Sequence, residues 1–268
     1  MAGTFDSAWL KFGWANRHGR RLMEEIERFF QSGPEFQEEI TYDSEARELV
    51  LSVASIEPVP SIISLTLADA LGCFRQCLDH VAWEMVQRGT DPIKRPHFVI
   101  VDHANAFENA MLGNMPGVSG GDRKVVEGLN GHIWNAADPL KAAILRMQRL
   151  NNHDKHRTIR AVNTIPRSLG ICGELQDCTN AGSFRVVGDK ELVAGVEFVR
   201  IPVNMTGPNP TIRSSGRIQT IQSIDGIPVA DLVNAVADTI QYLVLDKLQP
   251  NPPAEVYRLG ADLKPASG

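Results

Sequence analysis

Residues 61–88 constrain this chain more than any other stretch. Ser61 can cap a helix running to about Arg88. At about 100° per residue, Leu67, Leu71, Phe74, Leu78, Val81 and Met85 then share one apolar, core-facing side. Asp69, Gly72, Gln76, Asp79, His80 and Trp83 line an adjoining stripe, with Arg75 at its border. A mid-helix glycine costs about 1 kcal/mol relative to alanine, so Gly72 points to close approach of a backbone or a ligand. The stripe also has a purely structural reading. Arg75 and Asp79 stand at i, i+4 and can form a helical ion pair, while Gly72 and Trp83 serve helix packing.

The rest of the chain supplies the partners for that helix. Residues 7–31 predict an amphipathic helix with Ala15, Leu22, Ile26 and Phe29 at helical spacing, stopped by Gly33-Pro34. Residues 38–56 predict a β-hairpin: Ile40 and Tyr42 on one arm, Asp43-Ser44-Glu45 at the turn, and Leu49, Leu51 and Val53 alternating on the other. Residues 89–137 are rich in turn formers, including Gly113–Gly117 and Gly120-Gly121. This stretch predicts a lid or disordered excursion with one short helix near 122–129. Asp138-Pro139 opens a third helix reaching Val162. Strands are expected at 169–175, 184–187, 196–203 and 217–224. A last helix runs from 228 to 248, with Leu232, Val236, Ile240 and Leu243 on one stripe. Residues 251–268 read as an extended Pro-rich tail. The expectation is one α+β domain over 1–250, a helical bundle with an inserted hairpin and a flanking antiparallel sheet.

Hydrophobic residues make up 43% of the chain and charged residues 22%, which are ordinary globular values. The start of the chain has no basic n-region followed by an apolar run, no stretch has the length of a membrane span, and four cysteines do not make a disulfide scaffold. A cytoplasmic location, without a membrane partner or cofactor, is the expectation. Net charge is −5, which excludes a broadly basic nucleic-acid binder. Locally the balance reverses: from Lys141 to Arg160 six basic residues stand against Asp154 alone, either a local anion site or a solvated helix face.

Two more helices place polar groups on apolar stripes. On a continuous third helix Asn151, Asp154 and Thr158 project with Leu140, Ile144 and Met147. An acid there needs partners, because burying it alone is expensive. Arg75 or a buried backbone terminus is the expected donor to Asp154. On the first helix His18 falls on the stripe of Ala15, Leu22 and Ile26. If these faces meet, His18, Arg75, Asp79, His80, Asn151, Asp154 and Lys155 converge on one cleft.

Asp69-Ala70-Leu71, Arg75 and Leu78-Asp79-His80, together with Leu150-Asn151-Asn152 and Asp154-Lys155-His156-Arg157, resemble motifs of an uncharacterised bacterial and phage protein family over roughly residues 10–165. More loosely, Arg75-Gln76-Cys77-Leu78-Asp79-His80 resembles the Arg-x-x-x-x-His signature of HEPN domains, helical bundles whose active members cut RNA without metal. That resemblance implies a homodimer of the toxin or phage-defence type acting on RNA, with Arg75 and His80 as the catalytic pair. The converging helix faces and the polar run around Asp154 add Asp79 and His18 as catalytic candidates of second rank, and Asn151, Asp154, Lys155 and Arg157 as substrate-binding ones. A histidine titrating near neutrality can take the 2′-hydroxyl proton, and an arginine fork can hold the charge growing on phosphate. Residues five apart on a helix, however, point about 140° from one another.

Two rivals belong to other classes. One is a non-catalytic interaction or ligand-binding module, its polar cluster structural and its Gly113–Gly121 stretch engaging a partner or small anion. The other is a metal site of Cys73, Cys77 and His80, completed by Cys172 or Cys178, although this spacing departs from standard structural zinc patterns and no metal is the expectation.

Overall fold

The computed structural model describes residues 4–32, 36–89, 95–134, 142–154, 161–164, 173–187, 191–214, 221–224 and 227–259. The fold is α+β, with its helices and strands gathered into two compact units. One unit takes residues 1–25, 62–159 and 230–268, and the other takes 26–61 and 160–229.

The first unit is helical. Its α1 (Asp6–Gln31) buries Trp9, Phe12, Ala15 and Leu22, and α2 (Ser61–Gln87) buries the whole predicted face from Leu67 to Met85. The two meet through Phe12 and Phe74, whose ring centres are 5.8 Å apart. Residues 89–137 depart from expectation. In place of an excursion with one short helix stand α3 (Ala104–Asn114) and α4 (Gly120–Trp134). Phe107 and Met111, at i, i+4, bury the inner side of α3. Gly120-Gly121 lie in the first turn of α4, whose start is capped by Ser119: its Oγ accepts the Asp122 N–H at 3.2 Å.

The third predicted helix is α5 (Ala143–Asp154), and its expected reach to Val162 fails. Val162–Thr164 instead form strand β3, paired with β9 (Ile221–Ile224), as suits β-branched residues with a neighbouring edge to bond. Leu140 and Thr158 lie outside the described residues.

In the last helix, α6 (Val229–Ile240) leads into a π turn at Gln241–Leu245 before a final turn at Asp246–Leu248. The extra residue in that turn rotates the stripe. Leu232, Val236 and Ile240 are buried as predicted, but the next buried positions are Val244 and Leu245, and Leu243 is only half-buried. After Pro252-Pro253 the tail is not extended throughout, because Ala254–Leu259 form a short helix; prolines suit the entry to a helix. Gln249 ties the two ends of this unit together. Its Oε1 accepts the Phe5 N–H at 2.7 Å, its carbonyl accepts the Trp9 indole N–H at 3.1 Å, and its Nε2 donates to Asp6 at 2.8 Å.

The second unit is an antiparallel β structure. The predicted hairpin forms β1 (Phe36–Asp43) and β2 (Glu48–Ile56), and β2 pairs with β7 (Glu197–Met205). Register sets Tyr42, Leu49 and Ile201 in one row and Ile40, Leu51 and Val199 in the next, giving the sheet one apolar face. Beside β7 run β5 (Cys178–Asn180) and β6 (Arg185–Val186). β4 (Gly173–Gln176) pairs with β8 (Thr211–Ser214), and β10 (Ile227–Pro228) with β9.

Arg200 on β7 holds three strands electrostatically. It bonds Glu197 at 2.8 Å, Asp43 at 3.0 Å and Glu48 at 3.2 Å. The Ala46 backbone N–H, with the Arg200 guanidinium next, holds the Asp43 carboxyl below its usual range. A carboxyl so lowered stabilises the fold above its unfolded value and loses that contribution as pH falls. Urea midpoints should therefore drop between about pH 5 and pH 3, and Asp43→Asn should flatten the drop. In the helical unit, Leu245→Ala should cost about 2–5 kcal/mol in urea denaturation, and Leu243→Ala well under that.

Candidate functional site

The candidate site is built around an extended segment that belongs to no sheet. Phe98, Val99 and Ile100 are buried, so their backbone polar groups need partners, and among the described residues no strand pairs with them. Side chains from three helices take that role. From α2, Asp79 accepts the Phe98 N–H at 3.1 Å and Arg75 donates to the Phe98 carbonyl at 3.1 Å. From α4, the fully buried Asn130 accepts the Val101 N–H at 2.8 Å and donates to the Val99 carbonyl at 2.9 Å. The Trp134 indole donates to the Val101 carbonyl at 3.0 Å, and Gln148 of α5 to that of Ile100 at 3.4 Å.

Arg75 is committed within this clamp. Its Nε and Nη2 donate to the two Asp79 oxygens at 3.3 and 2.9 Å, and its Nη1 donates to Gln148 at 3.2 Å. The pair is largely sheltered, with side-chain exposures of 14% for Arg75 and 29% for Asp79, and its charges cancel. His97 Nδ1 lies 3.8 Å from Asp79.

Asp79 and His97 form a wall shared by two hollows. The first, of about 550 Å³, is lined by His80, Trp83 and Glu84 of α2, by Arg95 and His97 of the extended segment, and by Ser7 of α1. Burial, and after it the Lys11 ammonium, pushes the His80 imidazole below its usual value, against the opposing carboxylates of Asp79 and Glu84. The second hollow, of about 500 Å³, has Gly72 and Gln76 of α2, Asn114 of α3, and Gln148, Asn151 and Asn152 of α5 on its walls.

The residues singled out from sequence are thus only partly brought together. Arg75, Asp79 and Asn151 share the second hollow, and His80 with Asp79 lines the first. Arg75 and His80 look into different hollows, as their angular separation on α2 requires. Asp154 is not on the core stripe: the buried run Ala143, Ile144, Met147 and Leu150 ends before it, and Asp154 stands exposed at the last residue of α5. The donor expected for it, Arg75, bonds Asp79 instead. His18 lines neither hollow and packs edge-on against Trp14, with ring centres 5.5 Å apart. α1 turns Gly19 inward, where the missing side chain lets Val233 of α6 approach: a Cβ on Gly19 would stand 3.2 Å from Val233 Cγ1. His18 therefore faces about 100° aside. Lys155 and Arg157 lie outside the described residues.

Cys77 is fully buried, and burial pushes its thiol well above the usual range; Cys73 is half-buried and raised for the same reason. Cys172 lies outside the described residues. Among the described residues no three His, Cys, Asp or Glu side chains cluster so as to hold a metal ion. The Gly113–Gly121 stretch is the end of α3, a short link and the start of α4, and the Gly117 carbonyl packs against Gly89, where a Cβ would come within 2.7 Å of it. Sequence reasoning missed Asn130 and Gln148. Asn130 gave a signal, a carboxamide set among Val126, Leu129 and Ile133 on an apolar helix face. Comparison with protein-family models, curated proteins and solved structures returned no match.

Removing the carboxylate should loosen the clamp. Asp79→Ala is expected to lower stability by about 1.5–3 kcal/mol in thermal or urea denaturation, the range for hydrogen bonds to a charged group. Glu84→Ala, which breaks no part of the clamp, should change it by less than about 0.5 kcal/mol.

Proposed function

We propose that this chain is a non-catalytic ligand-binding module of the cytoplasm, in which Arg75 and Asp79 are structural and ligands enter the hollows beside them. The observation that carries this reading is the state of Arg75. A guanidinium that stabilises a phosphate in a transition state needs part of its fork free to meet the substrate. Here that fork already serves Asp79, Gln148 and Phe98, and freeing it would break the bond to the buried Phe98 carbonyl and leave Asp79 without its counter-charge. Among the described residues no helix is long and apolar enough to cross a membrane.

A second reading, metal-independent cleavage of RNA by a HEPN-like homodimer, draws on His80. Its imidazole lines a hollow with Arg95 and His97 and is shifted toward the neutral, proton-accepting form.

Incubation with single-stranded RNA in the presence of a chelator separates the two. The expected outcome is no cleavage that depends on these residues: any residual activity stays the same in His80→Ala and Arg75→Lys, both shown by circular dichroism to be folded. RNA cleavage by the wild type that is lost in both variants would overturn the binding-module reading.

A further inference from the structure

Gly72 is a cost without a packing return. It sits in the interior of α2, where glycine weakens a helix by about 1 kcal/mol relative to alanine. Gly19 and Gly89 are held by contact, against Val233 and Gly117, whereas Gly128 and Gly131 of α4 are open like Gly72 but line neither hollow. A Cβ at Gly72 would instead meet Asn151 Oδ1 at 3.7 Å, an ordinary van der Waals distance, so alanine fits without displacing the protein. What the bare Cα leaves open is part of the second hollow.

The walls of that hollow combine an apolar side, from Phe98 to Val101 and Ala110, with a polar side that has one chemistry. Gln76, Asn114, Gln148, Asn151 and Asn152 are all carboxamides, and the charges of Arg75 and Asp79 neutralise one another. A carboxamide presents donors and an acceptor without charge, which matches hydroxyl groups that both donate and accept. Part of this capacity is already used: Gln148 serves Arg75 and Ile100, Gln76 Oε1 accepts from Lys11 at 2.9 Å, and Asn114 Nδ2 donates to the Ala110 carbonyl at 3.0 Å. Asn152 is engaged within the protein as well. Among the described residues, the Gln76 amide nitrogen and the Asn114 side-chain oxygen have no hydrogen-bond partner and can meet a guest. At about 500 Å³ the space is of ordinary small-molecule size.

We infer that this hollow binds a small, uncharged, hydroxyl-rich molecule of the monosaccharide class, seated over Gly72. The inference rests on the binding-module reading and names the ligand chemistry of one of its hollows. Helix stability is given up at Gly72 to keep the seat open, a familiar exchange of stability for function.

The test uses the full chain with D-glucose, D-galactose and D-ribose, and with gluconate as an anionic counterpart, read by saturation-transfer NMR and calorimetry. A neutral sugar should bind saturably and more tightly than gluconate. Gly72→Ala should raise the melting temperature yet weaken that binding about tenfold or more. Asn151→Leu, which removes a wall carboxamide, should weaken it as well and covers the case in which Gly72→Ala is poorly folded. The proposal is overturned if no neutral sugar saturates the protein, if gluconate binds as tightly, or if Gly72→Ala leaves affinity unchanged. Those failures would leave the binding-module reading standing, since it falls only to RNA cleavage dependent on Arg75 and His80.

Discussion

A buried backbone without a neighbouring strand must borrow its hydrogen bonds, and in this protein that requirement organises the helical unit. Phe98 to Val101 run extended through the interior. Their amides and carbonyls reach Asp79 and Arg75 on α2, Asn130 and Trp134 on α4, and Gln148 on α5. Each of these side chains also locks its own helix to the segment, so three helices are positioned by one stretch of chain. The two hollows follow from it, because the segment and its Asp79 anchor form the partition between them.

Much of this was legible in the sequence where periodicity was long and one-sided. The buried face of α2 from Leu67 to Met85, the β1–β2 hairpin with Leu49, Leu51 and Val53 turned inward, and the i, i+4 geometry of Arg75 and Asp79 all follow from local spacing. What spacing could not reveal were properties set by distant partners. The segment at 98–101 reads as a short apolar run with no turn or helix signal, and only the folded chain shows which side chains hold it. Gly120-Gly121 looked like loop residues because their composition is that of loops, yet a serine cap turns them into a first helical turn.

The same limit applies to the stripe on the last helix. A π turn adds one residue between Ile240 and Leu245, so the burial expected at Leu243 passes to Val244 and Leu245. The polar residues behaved likewise. His18 and Asp154 share helical phase with apolar neighbours but stand at the margins of their stripes, where a small rotation or a helix end delivers them to solvent or to an aromatic ring. An ionisable group on an apolar stripe therefore identifies a side of a helix, and the neighbours of that side decide what it touches.

The Gln249 clasp has a consequence for how the chain is made. It joins the first turn of α1 to the far end of the last helix, across more than two hundred intervening residues, and the β unit is inserted between the segments it closes. During synthesis Trp9 can pack beside Phe12, but its indole N–H has no Gln249 carbonyl to meet until 240 further residues have been made. The helical unit is thus begun before the β unit and completed after it, and the nascent chain must carry an unfinished apolar surface while the strands assemble.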